Sequence, residues 1–455
     1  MPGVDGVTVE LETGMDSYCL EPGCTESDLR ALAELIDGSA VAHDVLYPCL
    51  ATTFLSPLNE FLRQAECEPR FLLLMVGESG NLKSSVSALV LSFFGKFTDQ
   101  NLPMNFRDTA NSIPHLAYAL KDVLSCVDDY HPASRLERMN MQRTLQTIIR
   151  SWGDHAGKLR MRPDTSLNPS KAPRGNVIVS DEYLPELGMI DMSRLYFVEM
   201  DASKVDAAQL EVIQKQAKDG ALRRCMFSFV EWMKEKHLSA DEDVRAFCAE
   251  LSESYYSSRA VWRKRLTDAG LKFHNRLPGT LATMEIGFSS CLDFLKEKTV
   301  IDAELAKLYA DEFAAILFDH AKVHVDTVRE ERPTHIYLHT LTGMIEDREL
   351  TLEPRESGNP KPYRTLVGYY DKEYLFVFLR KSVNAVREAC RQSDVEFDFS
   401  EIKIAAMLAK EGILVPFPNG ESSAKIRVGH SAGANVRAAR LHRDMVEELC
   451  GCFLE

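Results

Sequence analysis

The 455-residue chain lacks the features that mark membrane and secreted proteins. Its uninterrupted apolar runs, such as FLLLMV at 71–76, do not exceed six residues, whereas a membrane helix needs about 20. The N-terminal stretch MPGVDGVTVELETG lacks the basic and then apolar order of a secretory signal. We therefore expect a cytoplasmic protein that does not cross a membrane.

The cysteines lack the spacing of a metal site or a disulfide framework. There are eleven of them, an odd number, and no two form a C-x-x-C pair. Several lie in apolar surroundings, such as Cys126 in VLSCV and Cys225 in RRCMFSF. We expect reduced thiols and no zinc site.

Positive charge is outnumbered, since 53 lysine and arginine residues stand against 68 aspartate and glutamate residues and the net charge is −15. This balance argues against a protein that coats nucleic acid over its whole surface, although a local basic channel stays compatible with it. With 45% apolar and 27% charged residues, the composition is that of a folded soluble protein. A chain of 455 residues exceeds the roughly 250–300 residues of a single core, so we expect two or three domains.

Short apolar runs alternate with helical patterns between Arg70 and Met200. Continuous apolar strands separated by helices indicate a parallel sheet that is buried on both faces, and hence an α/β fold. The strands are expected in FLLLMV (71–76), MNF (104–106), VLSCV (123–127), NVIV (176–179) and RLYFVEM (194–200).

Helical periodicity dominates on both sides of this α/β segment. A linker with helix breakers follows, first Pro333 and then EPRESGNPKPYRT at 353–365. The chain then becomes mixed and ends with a helix, a glycine, and a hairpin turning at Asn419-Gly420. That order is typical of a winged helix, and equally of other small α/β domains. The sequence predicts an N-terminal helical segment (1–60), an α/β core (61–200), a helical domain (201–325) and a winged-helix-like domain (326–455).

The stretch GESGNLKSS directly follows the first expected strand and precedes a helical pattern. It resembles the phosphate-loop pattern G-x-x-x-x-G-K-[ST], whose backbone N–H groups, lysine and hydroxyl bind ATP and Mg²⁺. Leu82 replaces the last glycine, which is harmful if that position needs a positive φ and tolerable if its dihedrals are helical. The predicted nucleotide-binding residues are Gly77, Glu78, Ser79, Gly80, Asn81, Leu82, Lys83, Ser84 and Ser85.

Carboxylates follow two of the expected strands. Asp128 and Asp129 end one strand, and we assign Asp128, with Ser84, to Mg²⁺ and Asp129 to the attacking water. The alternative is an exposed turn, since Asp-Asp-Tyr-His-Pro is favourable turn chemistry. Ser180 or Glu182, at the end of NVIVSDE, is a candidate contact for the γ-phosphate or the water, and a plain strand terminus is the alternative.

Basic residues cluster in the stretch from 150 to 174. Such a patch in an acidic protein suits contact with a nucleic-acid backbone, and a solvated surface loop is the alternative. The candidates are Arg150, Lys158, Arg160, Arg162, Lys171 and Arg174. Arg194, the first residue of the last expected strand, is a candidate for stabilising transition-state charge in a neighbouring subunit, or else for a structural ion pair.

The order of these stretches resembles the ATPase region of mobile-element and prophage proteins known as domain of unknown function 927. Those proteins are relatives of the replicative helicases that accompany primases. The resemblance covers residues 40 to 235 well and rests on GESGNLKSS, FFGKF, NFRDTANSI, VDDYHP, RSWGDHAGKLRMRPD, RGNVIVSDEYLP and SRLYFVEMD.

The resemblance implies a P-loop ATPase of AAA+-like or RecA-like fold that forms a homo-oligomeric ring and acts on DNA with ATP and Mg²⁺. Carried over to this sequence, Lys83 and Ser84 match the nucleotide loop, Asp128 and Asp129 the metal-binding pair, and Glu182 the acid after the basic loop. Arg194 matches an arginine that acts between subunits. A separate primase is the expected partner.

Three functions remain open at this point. The first is a DNA helicase or translocase driven by ATP hydrolysis and moving on single-stranded DNA. The second is a nucleotide-gated switch or loader with little or no turnover. The third is a small-molecule kinase, which the long helical region after the core disfavours.

Overall fold

In the computed structural model, the described residues are 15–108, 112–131, 134–157, 171–182, 189–330, 332–356, 363–393, 395, 397–418, 420–429 and 434–451. They fall into two compact units that divide between Val325 and Asp326, except that Met189 groups with the second unit. Within these ranges, no helix is long and apolar enough to cross a membrane.

Five described strands of the first unit form one parallel sheet, which confirms the predicted α/β class. They are β1 (Leu72–Val76), β2 (Met104–Asn105), β3 (Leu124–Tyr130), β4 (Asn176–Asp181) and β5 (Leu195–Glu199). Their order is β2-β3-β4-β1-β5, so β4 lies between β1 and β3. Because all five run in the same direction, their carboxyl ends meet at one edge, called the carboxyl edge below.

Helices surround this sheet, and most of them were expected from apolar periodicity. They are α1 (Glu26–Asp37), α2 (His43–Leu55), α3 (Asn59–Gln64), α4 (Lys83–Leu91), α5 (Ser112–Ala119), α6 (Arg135–Asp154), α7 (Met189–Met192), α8 (Ala207–Lys218), α9 (Ala221–His237), α10 (Asp241–Asp268), α11 (Leu277–Glu297) and α12 (Ala303–Glu330).

One hydrophobic core joins the N-terminal helices, the sheet and the helices after it. At its centre α2 packs against α11 so closely that a Cβ on Gly287 would lie 2.1 Å from the carbonyl oxygen of Ala51. Phe54 of α2 contacts Phe93 and Phe229 edge to face, and all three rings are fully buried. The predicted boundaries at 60 and 200 therefore fall within shared packing, and the four-part division stays a prediction.

The second unit is built on a mixed sheet of five described strands in the order β6-β7-β8-β10-β9. The strands are β6 (Thr351–Pro354), β7 (Leu366–Tyr370), β8 (Tyr374–Val377), β9 (Ala424–Val428) and β10 (Ala434–His442). The helices are α13 (Pro333–Glu346), α14 (Leu379–Gln392), α15 (Glu401–Lys410) and α16 (Arg443–Cys450). Pro333 was expected to break structure and instead begins α13, because the first helical position needs no N–H donor.

A tight turn lies at the predicted place, because Phe417 donates its N–H to the carbonyl of Glu421. The antiparallel pair of β9 and β10 comes after this turn, so the predicted turn is not the one that joins these two strands. Gly420 does form a tight turn, with φ +77° and its N–H donating to the carbonyl of Phe417, while Asn419 lies outside the described residues. The strand expected before that turn contributes only an isolated bridge between Leu414 and Leu441. The winged-helix assignment stays a prediction.

We expect Gly287→Ala to destabilise the chain by about 1–3 kcal/mol, because the added methyl group overlaps the backbone of α2. Gly343→Ala in α13 is the matched control, since a Cβ there meets no atom within 4 Å. Alanine at that position should be neutral or stabilising by about 0.5–1 kcal/mol. Denaturant unfolding of both variants checks this, and equal losses would contradict the packing account.

The burial of His324 in α12 leads to a second prediction, which concerns the stability of the chain at acidic pH. Its Nε2 lies 2.9 Å from the carbonyl oxygen of Leu195, and burial lowers its pKa from 6.5 to about 4. Between these values the unfolded chain binds a proton that the folded chain does not. The free energy of unfolding should therefore fall as the pH drops through 6.5 and level off near 4, by at most about 1.4 kcal/mol per pH unit.

His324→Gln should remove this part of the pH dependence while keeping an amide N–H for the same carbonyl. The measurement is denaturant unfolding of the wild type and the variant between about pH 7 and 4.5. Identical slopes for the two proteins would show that His324 already binds its proton in the folded state.

Candidate functional site

The loop between β1 and α4 depends on two glycines. A Cβ on Gly77 would lie 2.1 Å from the carbonyl oxygen of Met200, so a larger residue cannot occupy that position without a shift. Gly80 has φ +90°, a conformation that glycine adopts without strain. Asn81 anchors the loop by donating from Nδ2 to the Met200 carbonyl at 3.1 Å.

Leu82 adopts the first of the two conformations considered for it, with φ 61° and ψ 23°. It does not have helical dihedrals, and the left-handed conformation costs an L-residue about 1–2 kcal/mol. Its side chain is partly buried against the core cluster of the first unit. Packing thus offsets the backbone cost at the position where the phosphate-loop pattern has its last glycine.

Lys83 is the first residue of α4 and turns its ammonium back into the loop. Its Nζ donates to the carbonyl oxygens of Gly77 and Glu78, the latter at 3.0 Å. Partial burial lowers the pKa of Lys83, and the carboxylates of Glu182, Asp128 and Asp181 act in the opposite direction. The lysine therefore lies in a shielded position that faces acids from the neighbouring strands.

Asp128 accepts hydrogen bonds from two hydroxyl groups. Ser84 Oγ donates to its Oδ2 at 2.9 Å, and Ser180 Oγ donates to its Oδ1. These contacts join α4, β3 and β4 across the carboxyl edge, over 44 and 52 positions of sequence. A hydroxyl and a carboxylate in contact are the kind of oxygen ligands that Mg²⁺ takes from proteins, with water and phosphate as its other ligands.

Asp129 is held in a strained conformation with φ 66°. The pairing of β3 with β4 shifts register between Val127 and Tyr130, so Asp129 falls within this irregularity. Its carboxylate forms an ion pair with Arg107, with Oδ2 3.4 Å from Nε. Left-handed residues other than glycine cost about 1–3 kcal/mol and cluster at functional sites, and Leu82 and Asp129 both lie at this edge.

Glu182 lies at the same edge, just after β4. Its Oε2 is 3.1 Å from Nδ1 of His131. The sequence reasoning missed both Arg107 and His131. His131 directly follows the Asp128-Asp129-Tyr130 stretch, and Arg107 follows β2. Their places just after two strands are the one signal in the sequence that could have identified them.

The remaining loop positions lie around this centre. Glu78 and Ser79 are exposed, whereas Ser85 is half-buried in the first turn of α4.

Arg194 lies at the amino ends of the strands, opposite the carboxyl edge, and directly precedes β5. It forms a bidentate ion pair with Asp154 at 2.8–3.1 Å, and its side chain is only 11% exposed. Arg276 pairs with the same carboxylate at 2.7 Å. These contacts favour the structural ion pair over a role at a neighbouring subunit's nucleotide.

Three of the predicted nucleic-acid contacts lie within the described residues, and they are away from the loop between β1 and α4. Arg174 precedes β4 and stacks on the ring of Tyr118 at 4.1 Å, with Lys171 5.4 Å from the same ring. Arg150 pairs with Asp191 at 2.8 Å and keeps a side chain that is 61% exposed. Lys158, Arg160 and Arg162 lie outside the described residues.

A cavity of about 700 Å³ runs between α5, α6 and the residues before β4. Arg107 lines it near the carboxyl edge, and Lys171 lines it near the opposite edge. Trp152, the aromatic residue of the basic stretch, is buried and donates to the Gly175 carbonyl at 2.9 Å. The cavity thus offers polar and charged side chains between the two edges. The Trp152 indole is buried and hydrogen-bonded, so it is not exposed for stacking on a base.

The fold of the chain is similar to that of a solved structure described as SCCmec type IV Cch, an active helicase. The TM-score is 0.59 at 14% identity, over 95% of this chain and 73% of that chain. A structure of JCV helicase matches 58% of this chain and 73% of its own at 14% identity, and an inhibitor-bound one matches 57% and 71% at the same identity. Their TM-scores of 0.23 and 0.24 are too low to carry an argument.

No family model matches the chain, and no curated protein matches it. At 14% identity, the likeness to Cch shows a shared fold. The resemblance to the domain of unknown function 927 therefore stays a prediction.

The conformation of Leu82 leads to a test that needs no ligand. Leu82→Gly and Leu82→Ala both remove the packed side chain, but only glycine adopts φ 61° without strain. We expect the glycine variant to be more stable than the alanine variant by about 0.5–1 kcal/mol. Denaturant unfolding measures the difference, and an alanine variant of equal or higher stability would contradict the left-handed conformation.

Proposed function

We propose that the chain is a P-loop ATPase of AAA+-like or RecA-like architecture that acts as a DNA helicase or translocase. The observation that carries the proposal is the hydrogen bond of 2.9 Å between Ser84 Oγ and Asp128 Oδ2. It joins the residue after Lys83, at the start of a helix, to an acid at the end of another strand. A phosphate-binding loop and a metal-binding carboxylate require this proximity.

The loop residues from Gly77 to Ser85 would bind the phosphates of ATP. Backbone N–H groups at the start of α4 and the Lys83 ammonium supply positive charge where the phosphates lie. Lys83 would exchange its contacts with two loop carbonyls for phosphate oxygens. Ser84 and Asp128 would hold Mg²⁺, which neutralises phosphate charge when it is bound.

The acids beyond Asp128 would act on the attacking water. Asp129 is proposed to orient it, once its carboxylate is released from Arg107. Glu182 faces Lys83 from the neighbouring strand and is the second acid of the site. Ser180 would hold Asp128 in place through its hydrogen bond. In this scheme Arg194 is structural and supplies no charge to a neighbouring subunit.

The assignment to DNA rests on the fold likeness to a protein described as an active helicase and on the basic stretch. Arg150, Lys171 and Arg174 lie within the described residues, and the other three predicted contacts are their neighbours in sequence. Phosphate contacts by arginine and lysine are independent of base sequence. We assign the activity to replication of a mobile element, with a homo-oligomeric ring and a separate primase as proposed partners.

A nucleotide-gated switch or loader is the second candidate. The ion pair between Arg107 and Asp129 favours it, because the carboxylate that would orient water is neutralised by a cation in this structure. A chain held in this state would bind ATP with little turnover.

ATP turnover with and without single-stranded DNA tests the proposal. We expect DNA to stimulate turnover, and we expect Lys83→Ala and Asp128→Ala to lower it by about 100-fold or more, since each removes a charge at the phosphates or the metal. Lys96→Ala, which removes an exposed lysine beyond α4, is the matched control and should keep wild-type turnover.

The outcomes separate the candidates. ATP binding without turnover in the wild type would favour the switch and overturn the helicase. Stimulated turnover without strand displacement on a forked duplex would leave a translocase. Turnover that survives Lys83→Ala would show that the catalytic site lies elsewhere.

A further inference from the structure

The second unit carries positive charge that the proposed ATP site does not explain. The chain has a net charge of −15, yet the stretch 422–443 contains five cations and no carboxylate. The cations are Lys425, Arg427, Arg437, Arg440 and Arg443. All of them lie on β9, on β10 or at the start of α16.

The register of β9 and β10 places three of these cations on one outer face. Lys425 lies directly opposite Arg437, and Arg427 lies opposite Asn435, whereas Ile426 is buried on the other side. Like charges directly opposite each other destabilise a strand pair. Glu421 offsets part of this repulsion at Arg437, and a polyanion bound to the face would offset the rest.

Two of the three cations have no counterion among the described residues. Arg437 pairs with Glu421 at 3.0 Å, whereas the structure records no salt bridge for Lys425 or Arg427 within its described ranges, and both are exposed. Arg440 and Arg443 are used differently. Arg440 lies over the Tyr374 ring, and Arg443 pairs with Glu447.

A cleft of about 610 Å³ adjoins this face. Arg437 and Ser423 line it from the hairpin side, and Arg380, Lys381 and Asn384 line it from α14. Glu401 is the carboxylate among its lining residues. Arginine, lysine, serine and asparagine are among the side chains that contact nucleic-acid phosphates.

We propose that a surface formed by Lys425, Arg427, Arg437 and Arg380 binds the phosphate backbone of duplex DNA, and that this binding does not require ATP or ADP. We call this surface the hairpin face. Strand geometry places Lys425 and Arg427 about 6.6–6.8 Å apart along β9, and a row of cations suits a linear polyanion. The inference rests on the proposed function only in its choice of DNA as that polyanion.

The cleft favours a duplex over a single strand. Sites for single strands combine cations with aromatic side chains on which bases stack. Among the residues that line the cleft, Phe378 is the aromatic one, and it is half-buried. Contact with phosphates alone holds a duplex without reading its sequence.

The test is the affinity of the full chain for a mixed-sequence duplex, without nucleotide, measured by fluorescence anisotropy between about 50 and 200 mM salt. Lys425→Gln with Arg427→Gln should weaken binding about tenfold and reduce the slope of log affinity against log salt by about 2. Lys425→Arg with Arg427→Lys keeps both charges and should bind as the wild type does.

Lys372→Gln with Lys410→Gln is the matched control. It removes the same charge from exposed positions of the same unit. Lys372 lies in the turn between β7 and β8, and β8 pairs with β10 at its far end, around His442. This control should keep the wild-type affinity and salt slope.

Several results would overturn the proposal. The first is an unchanged salt slope in the glutamine variant, and the second is a loss of duplex affinity in the Lys372 and Lys410 control that equals the loss in that variant. The others are tighter binding of a single strand at the same residues, or competition by polyglutamate that is as strong as competition by DNA. Lys83→Ala distinguishes this inference from the proposed ATPase, because it should lose turnover and keep duplex binding. Duplex binding that depends on Lys425 and Arg427 in a chain without ATPase activity would refute the proposed function and support the hairpin face.

Discussion

The two hydrogen bonds accepted by Asp128 hold the candidate site together. Ser84 donates from the first turn of α4, and Ser180 donates from the end of β4. The Ser180 contact depends on β3 and β4 being neighbouring strands. Since β4 lies between β1 and β3, the Ser84 contact reaches from the helix after β1 across β4 to β3.

Strain at this edge is supported by packing around it. Leu82 and Asp129 adopt left-handed conformations that cost L-residues free energy. The Leu82 side chain packs against the core of the first unit, and Gly77 fits closely under the Met200 carbonyl. The carboxyl edge is thus shaped by the buried helices and strands.

Charged side chains are distributed unevenly over this acidic protein. At the carboxyl edge one lysine, Lys83, faces several acids. At the opposite edge Arg194 and Arg276 share Asp154, which ties α6 and β5 to the start of α11. In the second unit, two exposed cations of the hairpin face have no counterion among the residues that the structure describes. A net charge of −15 says nothing about this arrangement.

The amino-acid sequence by itself determined the α/β class and the strand, loop and helix around Gly77 to Ser85, because continuous apolar runs and glycine spacing are local signals. It also placed Asp128 at a strand end. Tertiary structure decided the rest. The left-handed Leu82 depends on packing against the core of the first unit, and the pairings of Asp129 with Arg107 and of Glu182 with His131 depend on strand order. Arg194 resembled a catalytic arginine in sequence, but its partner Asp154 lies 40 positions away and only folding brings the two together.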